Sequence, residues 1–205
     1  VGSWQTNLTP ITGLRLSTSI AYNGYLYVIG GDPNDATLAT TTVQIMKFNG
    51  DGSLGNYATS SNSLLTTRAG QSSFVANGYV YVIGGRDSNS TILSSIEFAK
   101  LNNNGTTGPW ATSTVSLLQP LNMFASVVAN GYVYVINGIN GVTNNYVSYA
   151  SLPRTSIAGN LDLLGFASST LSDYGDSTLG SVGGSIFAGN IFSAGKLEVT
   201  GGSQL

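Results

Sequence analysis

Asn77-Gly-Tyr-Val-Tyr-Val-Ile-Gly-Gly85 decides the fold, because the chain contains this stretch three times. It occurs earlier as Asn23-Gly-Tyr-Leu-Tyr-Val-Ile-Gly-Gly31 and later as Asn130-Gly-Tyr-Val-Tyr-Val-Ile-Asn-Gly138. The copies are about 53 residues apart, and the same step separates a second set of markers: Trp4, Tyr57 and Trp110. Self-similarity at a fixed period of about 50 residues is typical of repeat proteins, and this period suits a four-stranded blade of a β-propeller.

The second copy shows how one repeat is built. Asn77-Gly78 is a strong signal for a tight hairpin, because a type I′ turn needs positive φ at both central positions. The following run, Tyr79 to Ile83, is continuously apolar and aromatic, as expected for a short strand that is buried on both faces. Gly84-Gly85 ends this strand, and a polar loop then leads to a third strand, Ile92 to Leu101.

The other repeats follow the same order of strands and turns. A fourth strand is predicted to begin at Pro109-Trp110 in the second repeat. No stretch shows a sustained helical period, so the predicted fold is all-β. The remaining predicted strands are Ser17–Tyr22, Tyr25–Ile29, Thr41–Phe48, one near Tyr57, Phe124–Ala129, Tyr132–Ile136 and Tyr146–Leu152.

An apolar strand ending in Gly-Gly, with an aromatic residue about 25 positions later, resembles the kelch repeat. The connection Asp51-Gly-Ser-Leu-Gly55 before Tyr57 resembles a bacterial variety of that repeat. The resemblance covers Trp4 to Leu152 and departs from the pattern at Tyr57 and Asn137. It implies a propeller of four-stranded blades, a fold known mainly for binding proteins and glycans.

The chain therefore divides into kelch-like blades over residues 1–152 and a Gly/Ser-rich β tail over residues 153–205. Gly183-Gly-Ser-Ile-Phe-Ala188 lies one period after the third copy, so the tail is either a degenerate fourth blade or a stalk, and we favour the stalk. Closed propellers have about four to eight blades. Three blades leave two apolar faces, which the rest of a longer parent chain, other copies of the chain or the tail itself could cover.

Composition excludes several classes of function. Only 8% of the residues are charged, against an average of about 25%. The net charge is −2 with no basic cluster, which argues against nucleic-acid binding. The chain has no His and no Cys, so it cannot form His-based triads, thiolate sites or the copper site of galactose-oxidase-like kelch propellers. No apolar run approaches the ~18 residues of a membrane span. The uncharged polar surface suits an extracellular or cell-surface protein, and equally a chain that packs against neighbours on several sides.

The loops that follow each Gly pair form a candidate binding face for a protein or a glycan, since rigid scaffolds present function on their loops. Ordinary solvated turns are the alternative. The residues predicted for this face are Asp32, Asn34, Asp35, Arg86, Asp87, Asn137 and Asn140.

Three further groups of side chains have patterns that could form a site. Asn49, Asp51 and Ser53 place oxygen atoms around a glycine-rich turn, as in a calcium loop, but no bidentate Glu follows them, so a polar hairpin is favoured. Arg15 and Arg68 precede first strands and are predicted to bond backbone carbonyls. The tyrosines that recur in each blade are predicted to belong to the core: Tyr25, Tyr27, Tyr79, Tyr81, Tyr132 and Tyr134.

The predicted function is a non-catalytic extracellular or cell-surface module for adhesion, protein or glycan binding, or assembly, with no cofactor. The alternative is a glycan-active enzyme domain, because two carboxylates suffice for glycoside hydrolysis. Glu97 and Asp32 are the acids considered for it, although nothing in the sequence brings two acids to the required separation.

Overall fold

The computed structural model describes residues 2–4, 6, 13–33, 38–143 and 145–152. Asn34, Asp35 and the whole tail, 153–205, lie outside the described residues, so the predictions made for them stay predictions. The main compact unit comprises Val1–Val128 and Val133–Ala150. A second unit comprises Ala129–Tyr132 and Ser151–Leu205, of which the turn at Ala129–Tyr132 and the pair Ser151 and Leu152 are described.

The described residues contain strands and no helix, which confirms the all-β prediction and the propeller-type blades. Blade 1 is an antiparallel sheet in the order β1-β2-β3-β4, and blade 2 repeats it as β5-β6-β7-β8. Blade 3 has the order β13-β10-β9, and a separate two-stranded sheet pairs β11 with β12. The strands are β1 Thr18–Tyr22, β2 Tyr25–Ile29, β3 Val43–Lys47, β4 Ala58–Thr59, β5 Ser72–Ala76, β6 Tyr79–Ile83, β7 Ile96–Lys100, β8 Ala111–Thr112, β9 Ala125–Ala129, β10 Tyr132–Ile136, β11 Ile139–Asn140, β12 Val142–Thr143 and β13 Val147–Ser151.

The hairpins between the first two strands of each blade adopt the predicted turn. Asn23, Asn77 and Asn130 have φ of 46°, 51° and 51°. The glycine after each of them has φ between 75° and 78°. Positive φ at both central positions is the type I′ geometry, whose twist matches that of the flanking strands.

The pairing registers of blades 1 and 2 identify equivalent positions. Val28 pairs with Gln44 in blade 1, and Val82 pairs with Glu97 in blade 2. The bridge between Arg15 and Asp32 corresponds to the bridge between Ala69 and Arg86. Arg15 is therefore equivalent to Ala69 and not to Arg68, although both arginines precede a first strand. The residue of blade 1 that is equivalent to Arg68 is Leu14.

The main core lies between blades 1 and 2. Tyr27 and Ile29 of blade 1 pack in one cluster with Val80, Val82 and Trp110 of blade 2. The prediction that the recurring tyrosines belong to the core holds for Tyr27, which is fully buried, and in part for Tyr25, Tyr81 and Tyr134. It is wrong for two of the six, Tyr79 and Tyr132. These two residues are the first of their strands, next to the hairpin turn, where the end of the sheet is exposed to solvent.

Neighbouring blades are joined by a hydrogen bond that repeats at equivalent backbone positions. The amide of Gly70 donates to the carbonyl of Leu16, and the amide of Met123 donates to the carbonyl of Gly70, both at 2.8 Å. All three residues have positive φ, between 54° and 68°. Each of the three blades therefore enters its first strand through a left-handed residue, and in blades 2 and 3 the amide of this residue donates to the preceding blade.

The Gly pair at the end of each second strand makes room for the next blade. A Cβ on Gly30 would lie 2.7 Å from the carbonyl oxygen of Arg68. A Cβ on Gly84 would lie 2.7 Å from the carbonyl oxygen of Leu121, which is the equivalent atom one blade later. Blade 3 carries Asn137 at this position, with a φ of 59°. Blade 3 thus keeps the left-handed backbone but carries a side chain where blades 1 and 2 have none.

The buried hydroxyl of Tyr27 makes stability depend on pH in the alkaline range. Burial and, to a smaller extent, the charges of Tyr25 and Tyr22 together raise the pKa of Tyr27 from 10.0 to about 12. Because the folded pKa is the higher one, this contribution is complete below pH 10 and is lost as pH rises towards 12. We expect Tyr27→Phe to gain stability relative to the wild type over that interval, and parallel denaturant titrations at several pH values would measure the difference. A constant difference across the interval would contradict the assignment.

Candidate functional site

The connections on one edge of the blades form the candidate site. In an antiparallel four-stranded sheet, the connection between the second and third strands leaves from the same edge as the connection to the next blade. We call this edge the loop face and define it by the described residues of 30–42, 60–71, 84–95, 113–124 and 137–146. It contains the loops after the Gly pairs, as the sequence predicted.

Two of the predicted loop residues meet across the junction of blades 1 and 2. Asp32 is fully buried, and its Oδ2 accepts a hydrogen bond from Nη2 of Arg86 at 3.0 Å. Arg15 Nη2 lies 3.5 Å from the same oxygen, on a side chain that is about half exposed. Burial of the Asp32 carboxylate is offset by two guanidinium groups, since a buried charge needs such partners. Asp32 and Arg86 thus hold two blades together at the base of the loop face.

Asp87 organises its own loop. Its Oδ1 accepts hydrogen bonds from the amides of Asn89 and Thr91, both at 2.8 Å. The amide of Asp87 in turn donates to the carbonyl of Thr91 at 3.0 Å. This carboxylate fixes the loop in the way that Asx turns do, and it remains partly exposed.

The predicted asparagines of blade 3 lie at the surface. Asn137 is exposed and directs its amide to the carbonyl of Tyr146 at 3.1 Å. Asn140 is exposed in the short strand β11 and pairs with Val142. Both could contact a ligand at the loop face, and their role in binding stays a prediction.

A set of exposed apolar side chains on the loop face was missed from the sequence. Leu65 is 60% exposed, and Leu118, 53 positions later, is 88% exposed. The preceding residue in each case, Leu64 or Leu117, points inward and is at least half buried. The signal that could have found them is the Leu-Leu pair that recurs with the period of the blades. Further exposed apolar residues on this face are Leu38, Val115 and Met123.

Glu97 and Arg68 form a fully buried ion pair under the loop face. Arg68 Nη2 lies 2.9 Å from Glu97 Oε1, and neither side chain is exposed. Arg68 also donates to the carbonyls of Gly84 at 2.8 Å and Ser95 at 3.0 Å, which confirms its predicted structural role. The carboxylate of Glu97 completes its bonding with the amides of Leu65 and Thr66, at 2.7 and 3.0 Å.

These contacts define what the two acids weighed for catalysis can do. A general acid or base must reach the substrate proton within hydrogen-bond distance. Glu97 and Asp32 are both fully buried, and each is paired with arginine. Their arrangement shapes and anchors the loops, and it does not present carboxylates to a bound sugar.

The calcium-loop candidate is a self-contained hydrogen-bonded turn. Asp51 Oδ1 accepts from the amide of Ser53 at 2.9 Å and from its hydroxyl at 2.7 Å, while Asn49 Nδ2 donates to Ser53 Oγ at 2.9 Å. Blade 2 repeats this geometry with a neutral residue, since Asn104 Oδ1 accepts from the amide and hydroxyl of Thr106 at 3.1 and 2.7 Å. A turn that forms equally well with an amide does not depend on a cation. It lies on the edge opposite the loop face.

Asp51→Asn tests this interpretation. The hydroxyl and the amide of Ser53, in that order, lower the pKa of the exposed Asp51 carboxyl. With a lowered folded pKa, the contribution of Asp51 to stability is present above the unfolded pKa and is lost as pH falls through the folded pKa. We expect Asp51→Asn to fold with a nearly unchanged unfolding midpoint at neutral pH and to lose this acid dependence. The interpretation would be contradicted if Asp51→Asn were much less stable than the wild type and added calcium stabilised the wild type alone.

Among the described residues, no three His, Cys, Asp or Glu side chains lie close enough together to hold a metal ion. The same residues include no helix of the length and apolar character needed to cross a membrane.

Comparison with known proteins identifies the repeat in blade 2. The Kelch motif matches residues 67–97, which run from the entry of blade 2 to the second residue of β7. Together with the four-stranded antiparallel sheets, this match confirms the predicted resemblance to kelch blades. No curated protein matches the chain.

Proposed function

We propose that this protein is a non-catalytic binding module that binds a protein partner on its loop face. The kelch motif in its second blade supports a role in protein binding. The observation that carries the proposal is the pair of exposed leucines, Leu65 and Leu118, at equivalent positions of consecutive blade entries. A group of large exposed apolar side chains marks an interaction surface more often than a single one does, and Leu38, Val115 and Met123 are exposed on the same face.

The surroundings of the two leucines support a partner contact. Leu65 is held in place because its own amide donates to the buried Glu97 carboxylate at 2.7 Å. A rigid backbone under an exposed apolar side chain lowers the entropic cost of binding. The polar residues at the rim, Asp87, Asn137 and Asn140, would add hydrogen bonds and specificity rather than most of the affinity.

The finer parts of the proposal concern setting and ligand. We infer an extracellular or cell-surface location from the 8% content of charged residues and the polar uncharged surface. The low charge favours a partner that is recognised by shape and apolar contact over one that is steered by charge. A glycan ligand would use the same rim, through Asp87, Asn137 and Asn140.

The leucines provide the test. If Leu65 and Leu118 lie at the centre of the interface, we expect the variant Leu65→Ser/Leu118→Ser to bind the partner at least tenfold more weakly. That loss requires the two truncations together to cost about 1.4 kcal/mol, which is less than the cost of one central hot-spot residue, about 2 kcal/mol or more. Retention would be measured by quantitative co-purification followed by titration of the recovered partner. Because both side chains are exposed, we expect an unchanged unfolding midpoint.

The matched control is a double substitution on the opposite edge, Ser53→Ala/Thr106→Ala, which leaves the loop face intact. The control should retain the partner as the wild type does. If the leucine variant binds as well as the wild type, the binding surface is elsewhere. If the control alone loses the partner, the surface is the opposite edge.

A further inference from the structure

The dipeptide Asn104-Gly105 combines a reactive sequence with an unusual local environment. The chain contains seven Asn-Gly pairs, at positions 23, 49, 77, 104, 130, 137 and 140. In such a pair the amide nitrogen of the glycine can attack the side-chain carbonyl carbon of the asparagine, because glycine has no Cβ to obstruct the approach. Asn104 is exposed to solvent.

Two donors already point at the oxygen that would gain charge in this attack. Asn104 Oδ1 accepts from the amide of Thr106 at 3.1 Å and from its hydroxyl at 2.7 Å. Fixed donors directed at a developing oxyanion lower the barrier to its formation. The Asn-Gly pair in the sister loop of blade 1, Asn49-Gly50, stands two positions earlier in the turn. Asn49 donates its side-chain nitrogen to Ser53 Oγ at 2.9 Å, as Asn102 does to Thr106 Oγ1 in blade 2.

We propose that Asn104 is a deamidation site of this protein and that its loop is built to receive the aspartyl product. The Gly105 nitrogen forms a bond to Cγ of Asn104, the bond from Cγ to Nδ2 breaks, and ammonia leaves with the proton of the Gly105 amide. Water then opens the cyclic imide. Cleavage at the former side-chain carbonyl gives aspartate, and cleavage at the main-chain carbonyl gives isoaspartate.

The structure shows that the loop accepts aspartate at this position. Asp51 is the equivalent residue of blade 1, and its Oδ1 receives the same two hydrogen bonds, from the amide and hydroxyl of Ser53, at 2.9 and 2.7 Å. The backbone closure is also the same, because Gly52 and Gly105 each donate to an asparagine carbonyl at 3.0 Å. The bond from Gly105 to Asn102 must open before the Gly105 nitrogen attacks, so the reaction begins with a local opening of this turn. Deamidation would thus convert the blade 2 loop into the blade 1 loop and add one negative charge.

The isoaspartyl product does not fit the folded loop. It lengthens the main chain by one carbon next to Gly105, which is buried beneath the ring of Tyr25. A Cβ on Gly105 would lie 2.5 Å from that ring, so the backbone there has no room to shift towards blade 1. The folded protein should therefore give a larger share of aspartate than an unfolded chain does.

The experiment is peptide mapping by mass spectrometry of the folded protein during incubation at mildly alkaline pH, with isoaspartate separated from aspartate by chromatography. We expect Asn104 to deamidate faster than Asn49 and to give mainly aspartate. The same protein in denaturant should give mainly isoaspartate at both positions. A slower rate at Asn104 than at Asn49, or the same product ratio in both states, would overturn the proposal.

Two substitutions of Thr106 isolate the effect of the hydroxyl donor. Thr106→Ser keeps it, as Ser53 does in the sister loop, and should deamidate at the wild-type rate. Thr106→Val removes it and should slow deamidation roughly fivefold, less than the ~10²-fold of an enclosed oxyanion donor because this loop is open to solvent. Equal rates in the two variants would show that the donor has no part in the reaction. The rate at Asn140, on the loop face, checks that each variant is otherwise unchanged.

Discussion

Arg68→Leu will lower the free energy of unfolding by about 3–5 kcal/mol, because it leaves the Glu97 carboxylate buried without its countercharge. Both side chains are fully buried and 2.9 Å apart. The substitution also removes the hydrogen bonds that Arg68 donates to the carbonyls of Gly84 and Ser95. Denaturant unfolding followed by intrinsic fluorescence would measure the change, since Trp110 is buried in the adjoining core.

Blade 1 supplies the matched control for this substitution. Leu14 and Gln44 occupy the positions of Arg68 and Glu97 there, so the fold already contains a neutral version of the pair. We expect Arg68→Leu/Glu97→Gln to recover more than half of the lost stability, because a buried ion pair can be replaced by neutral residues at little cost while a broken pair cannot. A double variant no more stable than Arg68→Leu would show that the hydrogen bonds of the guanidinium, and not the charge, stabilise this site.

Gly84→Asn is expected to destabilise the protein by about 3 kcal/mol, the upper end of the range for overpacking a close contact. Asparagine tolerates the left-handed backbone, so the cost comes from its Cβ, which would lie 2.7 Å from the carbonyl oxygen of Leu121 and 2.9 Å from the ring of Phe124. That carbonyl also accepts the amide of Gly85 at 2.8 Å. Pushing the two blades apart would weaken this hydrogen bond as well.

The reverse substitution at the equivalent position is the control. Asn137 has the same φ as Gly84, 59° in both cases. We expect Asn137→Gly to change the unfolding midpoint by less than about 1 kcal/mol, the loss in conformational entropy that a glycine brings. Thermal and denaturant unfolding of the two variants would measure both effects. Equal losses would mean that the Gly pair is required for backbone conformation alone.

The strands were predictable because their signals are local. Tyr25–Ile29 and Tyr132–Ile136 were predicted with the bounds that the structure shows, since an Asn-Gly turn fixes where each strand begins. Some predicted strands were too long. Ile92–Leu101 was predicted, but the strand in the structure is Ile96–Lys100, because it can pair only along the length of the neighbouring strand β6. The small hairpin of β11 and β12 was missed although Asn140-Gly141 carries the same turn signal.

The candidate site was less predictable because its contacts join different blades. Asp32 and Arg86 were predicted to lie on one face, but their ion pair depends on how the second strands of two blades stack. The burial of Glu97 similarly depends on an arginine 29 positions away. The exposure of Leu65 beside the buried Leu64 is a property of the connection between blades, where the amide of Leu65 donates to Glu97 of blade 2.

Asn137 also bears on how such a chain can evolve. Blades that arise by duplication are expected to be interchangeable, and blades 1 and 2 share the Gly pair that allows a successor to pack. If blade 3 stood in the second position, the Cβ of its asparagine would lie only 2.7 Å from a carbonyl oxygen of the next blade, as a Cβ on Gly84 would. Blade 3 is therefore a poor replacement for blade 2, and these two repeats are not interchangeable despite their similar sequences.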